Sequence, residues 1–186
     1  MDRGTKAEHG SDKKRKLPEW FSLVLLFVGV LLTILLVRTF VSDIRVVDGP
    51  SMEPTLHNGE RILVQKFGLS DVDRYDIVLW DVSENETLIK RVIGLPGDTV
   101  EITEKGTVSV NGEQLPPAYQ QAAGTYQMDP VSVTLAEDEY YVLGDNRTNS
   151  KDSRELGPMP AEALSGVYLC TLPELHPMIL LYGAGL

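Results

Sequence analysis

Residues 20–37 form an unbroken stretch without a charged side chain and with only two hydroxyl residues, Ser22 and Thr33. Nothing else in the chain limits its fold so strongly. At about 1.5 Å of rise per residue, such a stretch spans about 27 Å as a helix, close to the hydrocarbon thickness of a bilayer. Trp20 and Phe21 suit one membrane interface, and Arg38 can extend its charge to the other. A removable export signal has a shorter apolar run followed by a small-x-small site. Here Thr39-Phe40-Val41-Ser42-Asp43 follows and offers no such site. An uncleaved transmembrane helix over residues 19–41 is the expectation.

The charges give this helix a direction. Lys13-Lys14-Arg15-Lys16 lies directly before the apolar stretch, and the positive-inside bias keeps that end in the cytoplasm. Residues 1–18 read as a polar basic tail. Residues 42–186 then lie outside the cell membrane as one body, in a single-pass arrangement. The net charge of −10 is concentrated there, since residues 43–186 carry ten basic and 23 acidic side chains. An acidic body with no basic stripe excludes nucleic acid as a partner. The lone Cys170 rules out an intrachain disulfide and reads as a core residue of a strand.

The body reads as short strands with frequent turns. Candidate strands cover residues 43–47, 61–65, 76–80, 88–93, 99–102, 107–110, 131–135, 140–143 and 166–172. Asn111-Gly112 marks a tight hairpin, and residues 160–164 suit one helical turn. Residues 118–129, rich in Gln and Ala, suit a mobile surface loop. Strands at this spacing suggest a mainly β fold: an antiparallel coiled sheet, barrel-like, following the membrane helix. The apolar residues 178–182 are too short to span a membrane and suit a strand or a loose end.

Catalysis needs a nucleophile, a base and a stabiliser of negative charge. There is no His-Glu-x-x-His motif, no clustered Cys/His spacing and no phosphate-binding Gly loop. His9, His57 and His176 are poorly placed for a Ser-His-Asp triad, and His57 suits a surface turn. Gly49-Pro50-Ser51-Met52-Glu53-Pro54 holds a serine in a rigid turn, which favours a preorganised nucleophile. Lys90 sits in the apolar strand Leu88-Ile89-Lys90-Arg91-Val92-Ile93. Turned inward, it would be desolvated, and its amine could then accept a proton; turned outward, it is an ordinary edge lysine. Gly144-Asp145-Asn146-Arg147-Thr148-Asn149-Ser150-Lys151-Asp152-Ser153-Arg154 is either a solvated loop or a polar scaffold for a catalytic group.

Together these segments resemble the type I signal peptidases, in the compact form with a single anchor typical of Gram-positive bacteria. Ser51-Met52-x-Pro54-Thr55 resembles the nucleophile motif. Arg74-Tyr75-Asp76 resembles the following strand motif, whose middle position is more typically Gly. Lys90-Arg91-Val92-Ile93-Gly94-Leu95-Pro96-Gly97-Asp98 and Gly144 to Gly157 resemble the last two motifs. Their order matches as well, over residues 15–172.

The resemblance implies a serine endopeptidase that removes N-terminal signal peptides by a Ser51–Lys90 dyad. It implies that Ser150 orients the Lys90 amine, and that Asp145, Arg147, Asp152 and Arg154 support that loop. No metal or organic cofactor is implied. The implied partners are exported pre-proteins with small-x-small sites, the lipid bilayer and proximity to the secretion translocon. Val47, Met52, Leu56 and Ile89 flank the catalytic residues and are candidates for the substrate pockets, or for seating the body on the membrane. Gly49 stands where some relatives have a serine whose hydroxyl joins the oxyanion hole. The Ser51 N–H remains as one donor there, and the second is unassigned. A self-cleaving repressor-type peptidase would need a DNA-binding domain, and a penicillin-binding enzyme would need Ser-x-x-Lys. A non-catalytic membrane-anchored β module is the alternative from another class.

Overall fold

The computed structural model describes residues 19–36, 42–66, 68–69, 72–120 and 128–173. The chain divides into two compact units, residues 1–37 and 38–186. In the first, α1 (Glu19–Leu36) is built from helix-favouring leucines together with several β-branched residues. Its side chains are exposed from Ser22 to Leu36, with Phe27 at 69% and Leu23 at 67%. No helix among the described residues is by itself long and apolar enough to cross a membrane. α1 has 18 residues, where a full span needs about 20. The rest of the expected span, residues 37–41, lies outside the described residues, as do residues 1–18 and 178–182.

Among the described residues, the second unit contains eleven strands: β1 (Ser42–Val46), β2 (Arg61–Gln65), β3 (Ile77–Ser83), β4 (Glu86–Gly94), β5 (Thr99–Ile102), β6 (Val108–Val110), β7 (Glu113–Gln114), β8 (Val131–Thr134), β9 (Glu139–Leu143), β10 (Met159–Pro160) and β11 (Leu164–Leu172). All pairs are antiparallel. Seven strands form one sheet in the order β1-β2-β11-β3-β4-β9-β10, and four form another in the order β7-β6-β5-β8. The order of the large sheet runs between two edges, β1 and β10, so the barrel-like expectation resolves into two sheets.

Period-two alternation distributes the core. Ile77 and Leu79 of β3 join Val47, Met52, Leu56, Ile62 and Val64 in one cluster. Val78 and Trp80, one residue out of phase, join Val92, Tyr140, Val142 and Met159 in another. Tyr141 and Leu143 of β9 take the opposite face and meet Val100, Ile102, Val108 and Val110 of the small sheet. Asn111 and Gly112 both have positive φ, at 53° and 81°, as a two-residue hairpin turn between β6 and β7 demands.

One local expectation is corrected. Cys170 lies on β11 but is exposed. Leu164 and Gly166 of that strand are buried, whereas residues 169–171, beyond its register shift against β2, are open. Within the expected loop 118–129, Tyr119 ends a 3-10 turn (Pro117–Tyr119). Gln120 there is fixed to both backbone groups of Val108, accepting at 3.1 Å and donating at 2.5 Å. Residues 121–127 of that segment lie outside the described residues. A helical turn does form at Ala161–Ala163.

Candidate active site

The turn after β1 is closed at its base by Val47 N–H to Glu60 O and Gly59 N–H to Val47 O, both 2.8 Å. Gly49 has φ +90°, a conformation that favours a residue without Cβ. Its N–H donates to Asn58 Oδ1 at 2.8 Å. Glu53 N–H to Pro50 O, at 3.1 Å, and Leu56 N–H to Met52 O, at 3.0 Å, wind residues 50–56 into a compact coil. Met52 and Leu56, one helical turn apart, point into the core at 1% and 0% exposure. This packing anchors the coil from below and leaves Ser51 half-buried at its upper side. The Ser51 N–H donates to no acceptor among the described residues.

Lys90 comes to this serine from β4. Its Nζ donates to Ser51 Oγ at 2.9 Å and to the Ile89 carbonyl at 2.8 Å. Lys90 is only 2% exposed, and burial lowers its pKa from 10.5 to about 8. Asp152 opposes that shift, Arg154 reinforces it, and Asp145 opposes it more weakly. Desolvation prevails because a buried ammonium loses its water shell while both carboxylates are already engaged with arginines.

The loop after β9 fastens the two together. Asn146 N–H donates to Ser51 O at 3.0 Å, and its side-chain amide donates to Pro50 O at 3.2 Å. Gly144 lies so close that a Cβ there would fall 2.6 Å from Ser51 O and 2.2 Å from Ser150 Oγ. Asp152 is fully buried. It accepts from Gly144 N–H at 3.0 Å and from Arg154 Nε and Nη2, both at 2.8 Å. Burial works to raise its pKa, but the Arg154 hydrogen bonds and charge, with the Gly144 N–H, hold it below the usual carboxylate range. Asp152 also caps the short α2 (Ser153–Leu156). Arg154 Nη1 donates to Arg147 O at 2.8 Å, and Arg147 Nε donates to Gly144 O at 3.0 Å.

Asp145 takes a different partner from the rest of the loop. It receives Arg91 Nε at 2.8 Å and Nη2 at 2.6 Å, and the Thr55 hydroxyl at 2.5 Å. One carboxylate therefore ties the serine turn, the lysine strand and the loop together. Arg91 was not among the residues anticipated from sequence. Its signal is its place beside Lys90: consecutive strand residues face opposite sides, and a strand covered on both faces buries both. An open polar cavity of about 410 Å³ lies beside this junction, bounded by Thr55, Arg91, Tyr119, Asp145, Asn146 and Arg147.

Ser150 and the pocket candidates sit differently from expectation. No hydrogen bond joins Ser150 to Lys90. The lysine donates to Ser51 and Ile89 instead, and the buried Ser150 hydroxyl has no hydrogen-bond partner among the described residues. It lies near enough to Asp152 to favour that carboxylate's charge without a well-formed bond. Val47, Met52 and Leu56 are core residues at 3%, 1% and 0% exposure, not the lining of an open pocket. Apolar side chains on a tight coil pack inward, whatever their distance from the nucleophile in sequence. Ile89 is half-buried beside that cluster. His57 is exposed and pairs with Glu60 at 3.3 Å.

A family model described as signal peptidase, peptidase S26, matches residues 19–172. A probable signal peptidase I-2 from Synechocystis is 39% identical over 84% of this chain and 75% of its own length. A signal peptidase I from Bacillus licheniformis is 38% identical, over 86% of this chain and 90% of its own. A signal peptidase IB from Staphylococcus aureus is 33% identical, over 82% and 87%.

Proposed function

Since the chain belongs to the signal peptidase family, peptidase S26, and is a serine endopeptidase that removes signal peptides, we propose that it cuts with Ser51 as nucleophile and Lys90 as general base. The observation that carries this reading is the 2.9 Å contact between Ser51 Oγ and a buried lysine amine whose pKa is lowered to about 8. Neutral Lys90 takes the Ser51 proton as Oγ attacks the scissile carbonyl. The unengaged Ser51 N–H faces the oxyanion that forms. Protonated Lys90 then gives its proton to the leaving amine, which departs as the mature N-terminus. A water activated by the same lysine hydrolyses the Ser51 ester and frees the signal peptide. Ser150, beside Asp152 in the resting geometry, is assigned by the family resemblance the task of orienting the lysine amine, through a hydrogen bond formed during the reaction. Asp145, Arg147, Asp152 and Arg154 hold the loop that carries it.

The substrate is an exported pre-protein with small residues at alternate positions before the cut. Met52 and Leu56 fill the space beneath the nucleophile, so the floor there is shallow and suits a small side chain. The peptide lies extended along a sheet edge and shows alternate side chains to the body. The half-buried Ile89 is left as its apolar contact beside Lys90.

The reading includes a membrane anchor over residues 19–41, with residues 1–18 cytoplasmic, residues 42–186 outside and the secretion translocon nearby. The support is the basic cluster before α1 and the exposed apolar surface of α1, unfavourable in water by about 25 cal/mol per Å². Two experiments test the proposal. Ser51→Ala full-length protein in detergent should fold normally and leave a pre-protein uncut; normal turnover would remove Ser51 as the nucleophile. Protease added to intact spheroplasts should digest the C-terminal body, and full protection would reverse the orientation.

A further inference from the structure

Tyr75 has φ +80°. This left-handed backbone suits glycine and is an outlier for a bulky side chain, which gives a physical reason for the glycine typical of this motif position. A residue held there against its preference needs a compensating contact. The Tyr75 ring lies flat on Tyr119, with centroids 3.9 Å apart and planes 5° from parallel.

Tyr119 belongs to the 3-10 turn that follows β7 of the small sheet. The Arg91 guanidinium carbon lies 5.3 Å from the centre of its ring, within the range of a cation–π contact. Arg147 Nη2 donates to the Tyr119 carbonyl at 2.5 Å. Arg91 Nη1 donates to the Tyr75 carbonyl at 2.8 Å. The two arginines that flank the catalytic machinery, one beside Lys90 and one in the loop of Asn146 and Ser150, therefore converge on this tyrosine pair. From Arg91 the contacts continue through the Asp145 carboxylate to the Thr55 hydroxyl in the nucleophile coil.

The geometry points to Tyr75 and Tyr119 as positioning residues for cleavage. Their stack holds the Arg91 guanidinium in plane with Asp145, and Asp145 fixes the coil that presents Ser51 to Lys90. The small sheet thereby sets the alignment of a dyad to which it contributes no residue. This inference rests on the Ser51–Lys90 reading. It adds that a tyrosine in a strained backbone position is kept for rate, since glycine would relieve the backbone.

The test uses the full-length protein in detergent with a signal-peptide substrate. Tyr75→Gly removes the ring and suits the local φ. It should melt within a few degrees of the wild type, yet lose about tenfold in kcat, with KM unchanged. Tenfold corresponds to about 1.4 kcal/mol in the barrier, within the range of one aromatic pair. Tyr75→Phe, which keeps the stack, should restore the rate, and Tyr75→Leu, which keeps only bulk, should not. Tyr119→Phe should resemble wild type and Tyr119→Leu should match Tyr75→Gly. A Tyr75→Gly kcat within twofold of wild type would overturn the inference. So would full rescue by leucine, or a rate loss that merely tracks a lowered melting temperature. Ser51→Ala, assayed alongside, separates the two claims: activity there sinks the dyad itself, whereas a dead Ser51→Ala beside a normal Tyr75→Gly sinks only the positioning role.

Discussion

A buried lysine base should weaken the fold that holds it, and Lys90→Met measures by how much. Each pKa unit is worth about 1.36 kcal/mol. A drop from 10.5 to about 8 therefore places a penalty of about 3 kcal/mol on the folded state while the lysine is protonated. The sign follows from which state binds the proton more tightly. Below pH 8 both folded and unfolded chains carry it, and the full penalty applies. Between pH 8 and 10.5 the folded chain has released it and the unfolded chain has not, so stability rises with pH. Above 10.5 the penalty is gone. Methionine keeps most of the side-chain length and removes the charge. It also forfeits the bonds to the Ile89 carbonyl and to Ser51 Oγ, at about 1 kcal/mol each. Lys90→Met should thus be inactive yet about 1 kcal/mol more stable at pH 7, and this advantage should vanish at about pH 9 and reverse above it. Urea unfolding followed by the fluorescence of the buried Trp80 would read it. At about 1–3 kcal/mol per molar, the midpoint should rise by about 0.5 M at pH 7. Equal or lower stability of Lys90→Met at pH 7, or a gain independent of pH, would refute the reasoning.

Removing either partner of the buried Asp152–Arg154 pair should cost about 3–5 kcal/mol of stability, or roughly 10 °C in melting temperature. The two losses should nevertheless move the alkaline activity limb in opposite directions. Asp152→Asn removes a charge that raises the Lys90 pKa and shifts the limb to lower pH, whereas Arg154→Gln removes one that lowers it and shifts the limb to higher pH. A pH–rate profile of each variant checks this. Asp145→Ala leaves the buried Arg91 guanidinium without its carboxylate and the Thr55 hydroxyl without its acceptor, and should destabilise by about 3–5 kcal/mol. Thr55→Val, losing one bond to a charged acceptor, should cost about 1.5–3 kcal/mol in the same unfolding assay.

The strands were legible because Val- and Ile-rich runs between turn formers leave the backbone few options. The β6–β7 hairpin was legible because Asn-Gly tolerates two positive φ angles. Ser51 and Lys90 could be picked out by motif, but their meeting could not be read from alternation. Lys90 and Arg91 are adjacent in one strand, and only the coverage of β4 on both faces buries both. The tie from Arg91 through Asp145 to Thr55 joins three distant segments and leaves no periodic signature. Tyr119 sits among Gln and Ala residues that read as loop, and its stacking partner Tyr75 stands at a position whose left-handed backbone sequence alone does not reveal. Met52 and Leu56 neighbour the nucleophile in sequence, which suggests pocket residues, but their spacing of one helical turn sends them into the core.

The central claim is that the Lys90 amine, neutral at the moment of attack, takes the proton of Ser51. Single-turnover cleavage of a signal-peptide substrate from pH 6 to 10 tests it most directly, with wild type and Lys90→Arg measured side by side. The wild-type rate should climb about tenfold per pH unit below 8, reach half its maximum near the lysine's lowered pKa of about 8 and then level off. Lys90→Arg should be inactive throughout, because a guanidinium keeps its proton over this range. A flat wild-type profile, or substantial cleavage by Lys90→Arg, would contradict the assignment of Lys90 as the base.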